Sequence, residues 1–514
     1  MEAVAATGNA AQGNAAPANN VPKTAVVVGG GIAGLLAARE LARAGVSTTV
    51  LEASGGWGGC VGSHTVAGLS LDSGAESFAT RSSAVADLAA ELGLAAQIVA
   101  PNPGGAWVQL PEGPRELPRT GVLGIPANPW DPEVRRSLGL LGSLRASLDA
   151  LLPASLGTRN EDTSVSALVR ARMGRRVLER LVAPVVGGVH SADPEVLDVD
   201  MVAPGLRAGI REHGSLAAAV TALRSGAPGR GGADPSPPAS SPPAPATAGA
   251  TTPGLQKAGS AVAGLRGGMH TLVSALVADL RRRGVTLLCG APANSVERTA
   301  DGWRVAAGDT TYDAGLLVVA VEGPAAVDLL SNTLPELAGR RPEAGPDVSL
   351  VTLVVDLPQL DAAPRGTGVL VAPQTPDIKA KALTHSTAKW GWLAERTGPG
   401  THVVRLSYGR GDTRHGVQGT GGPRTDEELF DAALGDASTL LSVPVTAVDV
   451  VGWDVVRWAG ALPFASLGHR RRVAEVRSIC AADGTLAVVG GWLAGNGLAA
   501  IVADTPRQVR TLLG

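Results

Sequence analysis

The chain has 514 residues and a formal charge of −2, with 44 Lys and Arg against 46 Asp and Glu. That length predicts two or three domains with ample core, and the near balance of charge argues against a nucleic-acid or anionic-membrane surface. Three cysteines, Cys60, Cys289 and Cys480, stand far apart and in no metal-ligand spacing, which excludes a disulfide framework, gives no metal site and suits a reducing cytosol.

Residues 1–20 carry neither a basic nor an apolar signal region, so 1–22 reads as a disordered Ala/Asn/Gly tail. No apolar run reaches about 18 residues, so no integral membrane segment is expected. Aromatics make up only 3%, so the core must be Val, Leu and Ala.

The first element is Thr24 to Glu52, TAVVVGGGIAGLLAARELARAGVSTTVLE. Val26–Val28 predicts a strand buried on both faces. Gly29, Gly31 and Gly34 follow at G-x-G-x-x-G spacing, before a helix to Ala44 stopped by Gly45. Ser47–Leu51 reads as a second strand, closed by Glu52. The first glycine allows the turn, the second lets backbone approach a pyrophosphate, and the third lets helix and strand pack closely. The helix N-terminus offers free N–H groups to phosphate, and Glu52 is placed to accept hydrogen bonds from a ribose. This is a complete dinucleotide unit, and the motif alone does not choose between FAD and NAD.

ASGGWGGCVGSH, with five glycines in twelve residues, and LSLDSGAESFATR come next. Such a loop permits close approach to a ligand, or is an ordinary flexible turn. Residues 84–155 alternate helical patterns with Pro and Gly breaks. Ser164–Val182 places Val165, Leu168, Val169 and Met173 at helical spacing, with basic residues on an expected solvated face. Val185–Pro194, VVGGVHSADP, reads as a glycine turn, and 226–254 as a disordered Pro/Ala-rich insertion.

Beyond it, Leu272, Val273, Leu276, Val277 and Leu280 mark a helix and Val285–Leu288 a strand. Asn294–Glu297 and Trp303–Ala306 follow as a hairpin, then the buried strand Leu316–Val321. Residues 347–356, 366–373 and 401–409 are strand-rich. At the end, Thr485–Val489 and a glycine-rich turn precede helical LAAIVAD, which Pro506 is expected to kink or end. This second strand–glycine–helix unit predicts an α/β fold whose Rossmann-like domain is assembled from distant segments.

Several stretches together resemble the flavin-dependent porphyrinogen oxidases within the amine-oxidase-like flavoproteins. They are VVVGGGIAGLLAARELARAG, LDSGAESF (71–78), VVGGVHSADP (185–194), GLRGGMHTL (264–272), GTGVLVAP (366–373), ALTHSTAKW (382–390), VRWAGALPFASLGH (456–469) and GGWLAGNGLAAIV (490–502). The resemblance implies bound FAD and stepwise oxidation of coproporphyrinogen III to coproporphyrin III in haem biosynthesis, with O2 reduced to hydrogen peroxide. Protoporphyrinogen IX is the alternative substrate, and an amine or carotenoid oxidase the rival within the fold. The absence of a second G-x-G-x-x-G or a C-x-x-C pair argues against a nicotinamide partner. A cytoplasmic enzyme is expected, with contact to a haem-pathway chelatase left open.

The implied FAD-binding domain is 23–90 with 200–225, 255–325 and 460–514; 91–199 is a helical lobe, and 326–459 a mixed-sheet substrate-binding domain. Carried onto this chain, the resemblance places Gly29, Gly30, Gly31, Ile32, Ala33 and Gly34 on the pyrophosphate, and Glu52 and Ala53 on the ribose side. Gly74, Ala75, Glu76 and Ser77 would lie along the flavin, with Trp458, Gly497, Leu498, Ala499 and Ala500 near its ring. Ala293 stands where the family has an adenine-contacting Val, and Gly56 and Cys60 stand where it has basic residues. Gly368 and Leu370 would face substrate. Arg81 is the first cation expected for the propionates, since guanidinium pairs bidentately with carboxylate, with Lys389 and Arg457 behind it. His190 and His385 are expected to be structural, and no catalytic base is assigned because the flavin takes the hydride.

Overall fold

The computed structural model describes residues 24–118, 121–160, 162–225, 262–409, 425–460, 465–495 and 497–514. The expected tail at 1–22 and insertion at 226–254 lie outside these residues.

Thr24–Val28 (β1), Ile32–Arg43 (α1) and Ser47–Leu51 (β2) form as the sequence predicts. β1 is the centre of an all-parallel five-stranded sheet, ordered Thr286–Leu288, β2, β1, Leu316–Val319, Leu486–Val488. Its run Ala25–Val28 is apolar because both faces are covered. Ala25 and Val27 join α1 and the helix His270–Arg282 in one core, while Val26 and Val28 join Trp303 and Leu330 in the other. The last strand comes from near the C-terminus, so distant segments do build this layer. Asn294–Glu297 and Trp303–Ala306 belong to a three-stranded antiparallel sheet, Ala293–Thr299, Gly302–Ala307 and Thr310–Ala314; the third strand was not expected.

The C-terminal helix runs from Leu498 to Leu513 and does not end at Pro506. Proline removes the bond to the carbonyl four residues earlier and crowds that carbonyl, and burial of Val502 and Val509 against the first core carries the helix past the break.

The second sheet has seven strands, ordered Val450–Trp458, Val348–Asp356, Thr401–Tyr408, Ala382–His385, Gly368–Val371, Ala106–Leu110, Gly113–Glu116. One face is closed: Val351, Leu353, Val404, Leu406, Val369 and Leu383 are buried with Leu429, Ala433 and Leu440 of the helix Asp426–Leu441. That helix starts with a Thr425–Glu428 capping box, which satisfies two otherwise unpaired N–H groups. The hairpin 106–116, expected within the helical lobe, instead completes this sheet through parallel pairing of Ala106–Gln109 with Gly368–Val371.

The lobe is helical, with Pro132–Ser147, Val165–Met173 and Ala183–His190 around one core. Leu206, Ile210, Leu216, Ala219 and Val220, expected with the dinucleotide unit, pack into that same core. The predicted glycine turn at 185–194 is largely helix. Gly187 and Gly188 lie within it, and a Cβ at Gly188 would sit 2.6 Å from Leu370 Cδ2, whereas one at Gly187 would meet nothing within 4 Å; Gly188 lets the helix lie against the sheet. Nor is the basic face wholly solvated. Arg172 is fully buried, its Nε donating to Asp149 at 2.6 Å and its Nη1 to the carbonyls of Pro153 and Leu156 at 3.0 Å. Arg170, Arg175 and Arg176 are exposed as expected, and the separate segment 140–151 exposes Leu140, Leu141, Leu144, Leu148 and Leu151. Among the described residues, no helix is long and apolar enough to cross a membrane.

Candidate active site

The site begins at the end of β1. Gly29 has φ +105°, and a Cβ there would meet the Ala320 carbonyl oxygen at 2.6 Å; the turn requires glycine. Gly30 N–H donates to Glu52 Oε2 at 2.6 Å and Ser54 N–H to Oε1 at 2.7 Å. The carboxylate is thereby fixed beside the turn with lone pairs to spare. Gly31 caps α1 with no side-chain hydrogen bond, so the first N–H groups of the helix keep their bonding capacity.

A second helix start lies alongside. Gly497 precedes the C-terminal helix, again without a side-chain cap. This helix packs against α1, and Ile32, Ala33 and Leu498 share one core with Ala75 and Ala499 packed on it. Gly497–Ala500 are therefore brought to the same end of the sheet as Gly29–Gly34. Ala53 is exposed just beyond Glu52, and Ala293 opens the antiparallel strand two residues after Ala291, whose N–H donates to the Glu52 carbonyl at 2.8 Å.

The loop holding Gly74, Ala75, Glu76 and Ser77 bridges the two sheets. Ser73 N–H and Ala75 N–H donate to Gly62 and Cys60 carbonyls at 3.0 and 2.8 Å. From the other side, Trp458 Nε1 donates to the Ser73 carbonyl at 2.8 Å. Glu76 does not expose its carboxylate. It accepts from Ser386 Oγ at 3.0 Å, Trp390 Nε1 at 2.8 Å and Arg405 Nη2 at 3.1 Å, with Lys389 Nζ at 3.6 Å. Burial alone would raise its pKa; Lys389, Arg405, the indole and the hydroxyl outweigh burial and draw it down to about 2.

This loop lies over the other face of the seven-stranded sheet, where Val354 and Val403 are buried with Leu71, Trp390 and Leu393. Pairing puts Val456, Leu350, Ser407, Ala382 and Leu370 in one row across five strands, and Asp454, Thr352, Arg405, Thr384 and Gly368 in the next. Residues directly opposite share a face, so Gly368 and Leu370 lie on the same face as Trp458. A Cβ on Gly368 would meet the Leu383 carbonyl oxygen at 2.5 Å, which explains the glycine by strand contact. Leu370 also meets Gly188, so the lobe bounds this face opposite the loop.

The expected cations fare differently. Arg81 is exposed, just past the short strand Phe78–Ala79. Lys389 is engaged with Glu76 and stands over the Trp390 ring, and Arg457 pairs with Asp426. His190 and His385 are buried, both with pKa drawn to about 4, His190 by burial and His385 by burial and then by His402. His385 Nε2 meets His402 Nδ1 at 3.0 Å, and His402 Nε2 meets Asp361 at 3.1 Å. Arg405 was missed, although THVVRLSY alternates and so puts Arg405 and Ser407 opposite Val404 and Leu406.

The family model for flavin containing amine oxidoreductases matches residues 32–504. The chain belongs to that family. FAD is its cofactor, and the enzyme is an oxidoreductase. The curated coproporphyrinogen III oxidase of Mycobacterium leprae (strain TN) is 30% identical over 498 residues, covering 95% of this chain and 97% of that one. The coproporphyrinogen III oxidase of Staphylococcus aureus (strain NCTC 8325 / PS 47) is 24% identical, over 89% and 91%. In fold, the chain is similar to a solved structure from Exiguobacterium sp. 255-15, with TM-score 0.77, 24% identity and coverage of 96% and 98%. It is also similar to cyclohexylamine oxidase from Brevibacterium oxydans IH-35A, with TM-score 0.62, 16% identity and coverage of 96% and 99%.

The residues present fit the flavin nucleotide of this family. A Cβ at Gly31 or Gly497 would meet nothing within 4 Å, so both uncapped helix starts open onto free space that backbone N–H groups can share with a pyrophosphate.

Proposed function

We propose that this protein oxidises coproporphyrinogen III to coproporphyrin III, removing six hydrogens in three two-electron rounds. Three O2 accept them as three hydrogen peroxides, which balances atoms and electrons. The observation that carries the reading is end-to-end likeness to curated coproporphyrinogen III oxidases, at 30% identity over 95% of the chain. Bound FAD supplies hydride acceptance and passes electrons to O2.

The protein's own part is holding and orienting. Gly29–Gly34 with the α1 N-terminus would hold the pyrophosphate, Glu52 the ribose, and Gly74–Ser77 with Trp458 and Gly497–Ala500 the ring. Val456, Leu350, Ala382 and Leu370 offer an apolar floor suited to a macrocycle, between the 72–76 loop and the lobe. Exposed Arg81 is the cation proposed for a propionate. No residue is assigned as base, since pyrrole N–H groups of the substrate can release the protons.

Protoporphyrinogen IX, which lacks two propionates, is the second reading. The chain is 29% identical over 41% of its length to a protoporphyrinogen oxidase of Arabidopsis thaliana. Porphyrin fluorescence developing under air from each substrate separates the two; a faster rate from protoporphyrinogen IX sinks the first.

A further inference from the structure

One polar seam joins the two halves of the site. Arg405 projects from the face of the seven-stranded sheet opposite the helix Asp426–Leu441, and its Nη1 donates to the carbonyls of Asp72 at 3.2 Å and Gly74 at 2.9 Å. Its Nη2 donates to Glu76 at 3.1 Å. Trp458 takes the carbonyl between them, that of Ser73, at 2.8 Å. Three consecutive carbonyls of the loop are thus bonded by side chains of the substrate sheet. The other edge of the loop is held by Cys60 and Gly62, and a Cβ on Gly74 would lie 2.2 Å from the Cys60 carbonyl oxygen. The loop is thus bonded along both edges.

We infer that Arg405 is a positioning residue: its bonds to Asp72, Gly74 and Glu76 set where the flavin-side loop lies over the substrate face. The inference rests on the reading of that loop as flavin-lining. A planar guanidinium reaches two carbonyls and a carboxylate at once, which a lysine ammonium on its flexible stem does not reproduce. Glu76, fixed by Ser386 and Trp390, gives the guanidinium its orientation. A loop displaced by about 1 Å is enough to cost on the order of a hundredfold in rate.

The test uses FAD-loaded wild type, Arg405→Lys, Arg405→Gln and Glu76→Gln. Flavin content, visible flavin spectrum and midpoint potential are recorded without substrate; flavin reduction by coproporphyrinogen III is then followed anaerobically. Both Arg405 variants are expected to keep FAD, to shift the flavin bands, and to lose about tenfold or more in the limiting reduction rate, with KM changed by less than about threefold. Glu76→Gln, which leaves both carbonyl bonds, is expected to lose less than Arg405→Gln. Wild-type bands and reduction rates in both Arg405 variants overturn the inference, as does a loss accounted for entirely by missing FAD or confined to KM. If wild type itself fails to oxidise coproporphyrinogen III, the substrate reading fails, and the spectra and potentials of the variants still decide the role of Arg405.

Discussion

A Cβ on Gly34 would lie 1.8 Å from the carbonyl oxygen of Gly29, so α1 touches the turn it leaves with no room for a methyl group. Gly31, three residues earlier, has φ −68° and open space where its Cβ would be. One motif therefore contains a glycine required by packing and a glycine that packing leaves free, which we propose is kept for the ligand's approach.

Substitution separates the two. Gly34→Ala is expected to cost about 3 kcal/mol of stability by overpacking. Gly31→Val is expected to leave the ligand-free protein within about 0.5 kcal/mol of wild type while abolishing FAD retention. Thermal melts with flavin quantification check both; a Gly31→Val protein that keeps full flavin contradicts the cradle.

Glu76 predicts an acid-sensitive junction. Its carboxyl is held at about 2 in the fold against an ordinary value of 4.5, so the unfolded chain binds the proton first as pH falls. The stabilisation is complete above about 4.5 and is lost as pH falls toward 2. Glu76→Gln should be less stable than wild type at pH 7, and the gap should narrow across that window. Denaturation followed as a function of pH measures it; a constant gap contradicts the ion-pair account.

His385 works in a higher window. Buried, and beside His402, it stays neutral down to about pH 4, whereas in the unfolded chain it takes a proton near 6.5. Stability should therefore fall as pH drops from about 6.5 to 4, with His385 contributing at most about 1.4 kcal/mol per pH unit. His385→Gln should flatten that slope, as read from unfolding midpoints at several pH values. An unchanged slope would show that the histidine titrates normally in the fold.

The dinucleotide unit was legible because its signals are local. A strand covered on both faces is apolar throughout, and the glycine spacing and helix start follow at once. What escaped depends on contacts distant in sequence. Ala106–Leu110 reads as part of the lobe until Gly368–Val371 arrives as its parallel partner. The pair Gly187–Gly188 reads as a turn until Leu370 explains why a helix has glycine at 188. Pro506 reads as a kink or a stop, yet packing on the first core carries the helix through. Among the site residues, motif matching favoured the glycines and Trp458 and passed over Arg405, which no expected motif contains, although its place in an alternating strand assigns its face.

Arg81 is the proposed substrate cation with the simplest test. It is exposed, so Arg81→Ala should leave the fold and FAD content unchanged and raise KM for coproporphyrinogen III about twofold to fivefold, the effect of one accessible ion pair. Steady-state kinetics check it, and an unaltered KM removes Arg81 from the site.

The central claim is tested most directly by the initial rate of porphyrin formation under air from coproporphyrinogen III and protoporphyrinogen IX side by side, with peroxide measured in the same samples. The expected result is faster formation of coproporphyrin, with three peroxides for each porphyrin. Porphyrin formation no faster than the uncatalysed rate from either substrate, with peroxide released from an amine instead, would contradict it.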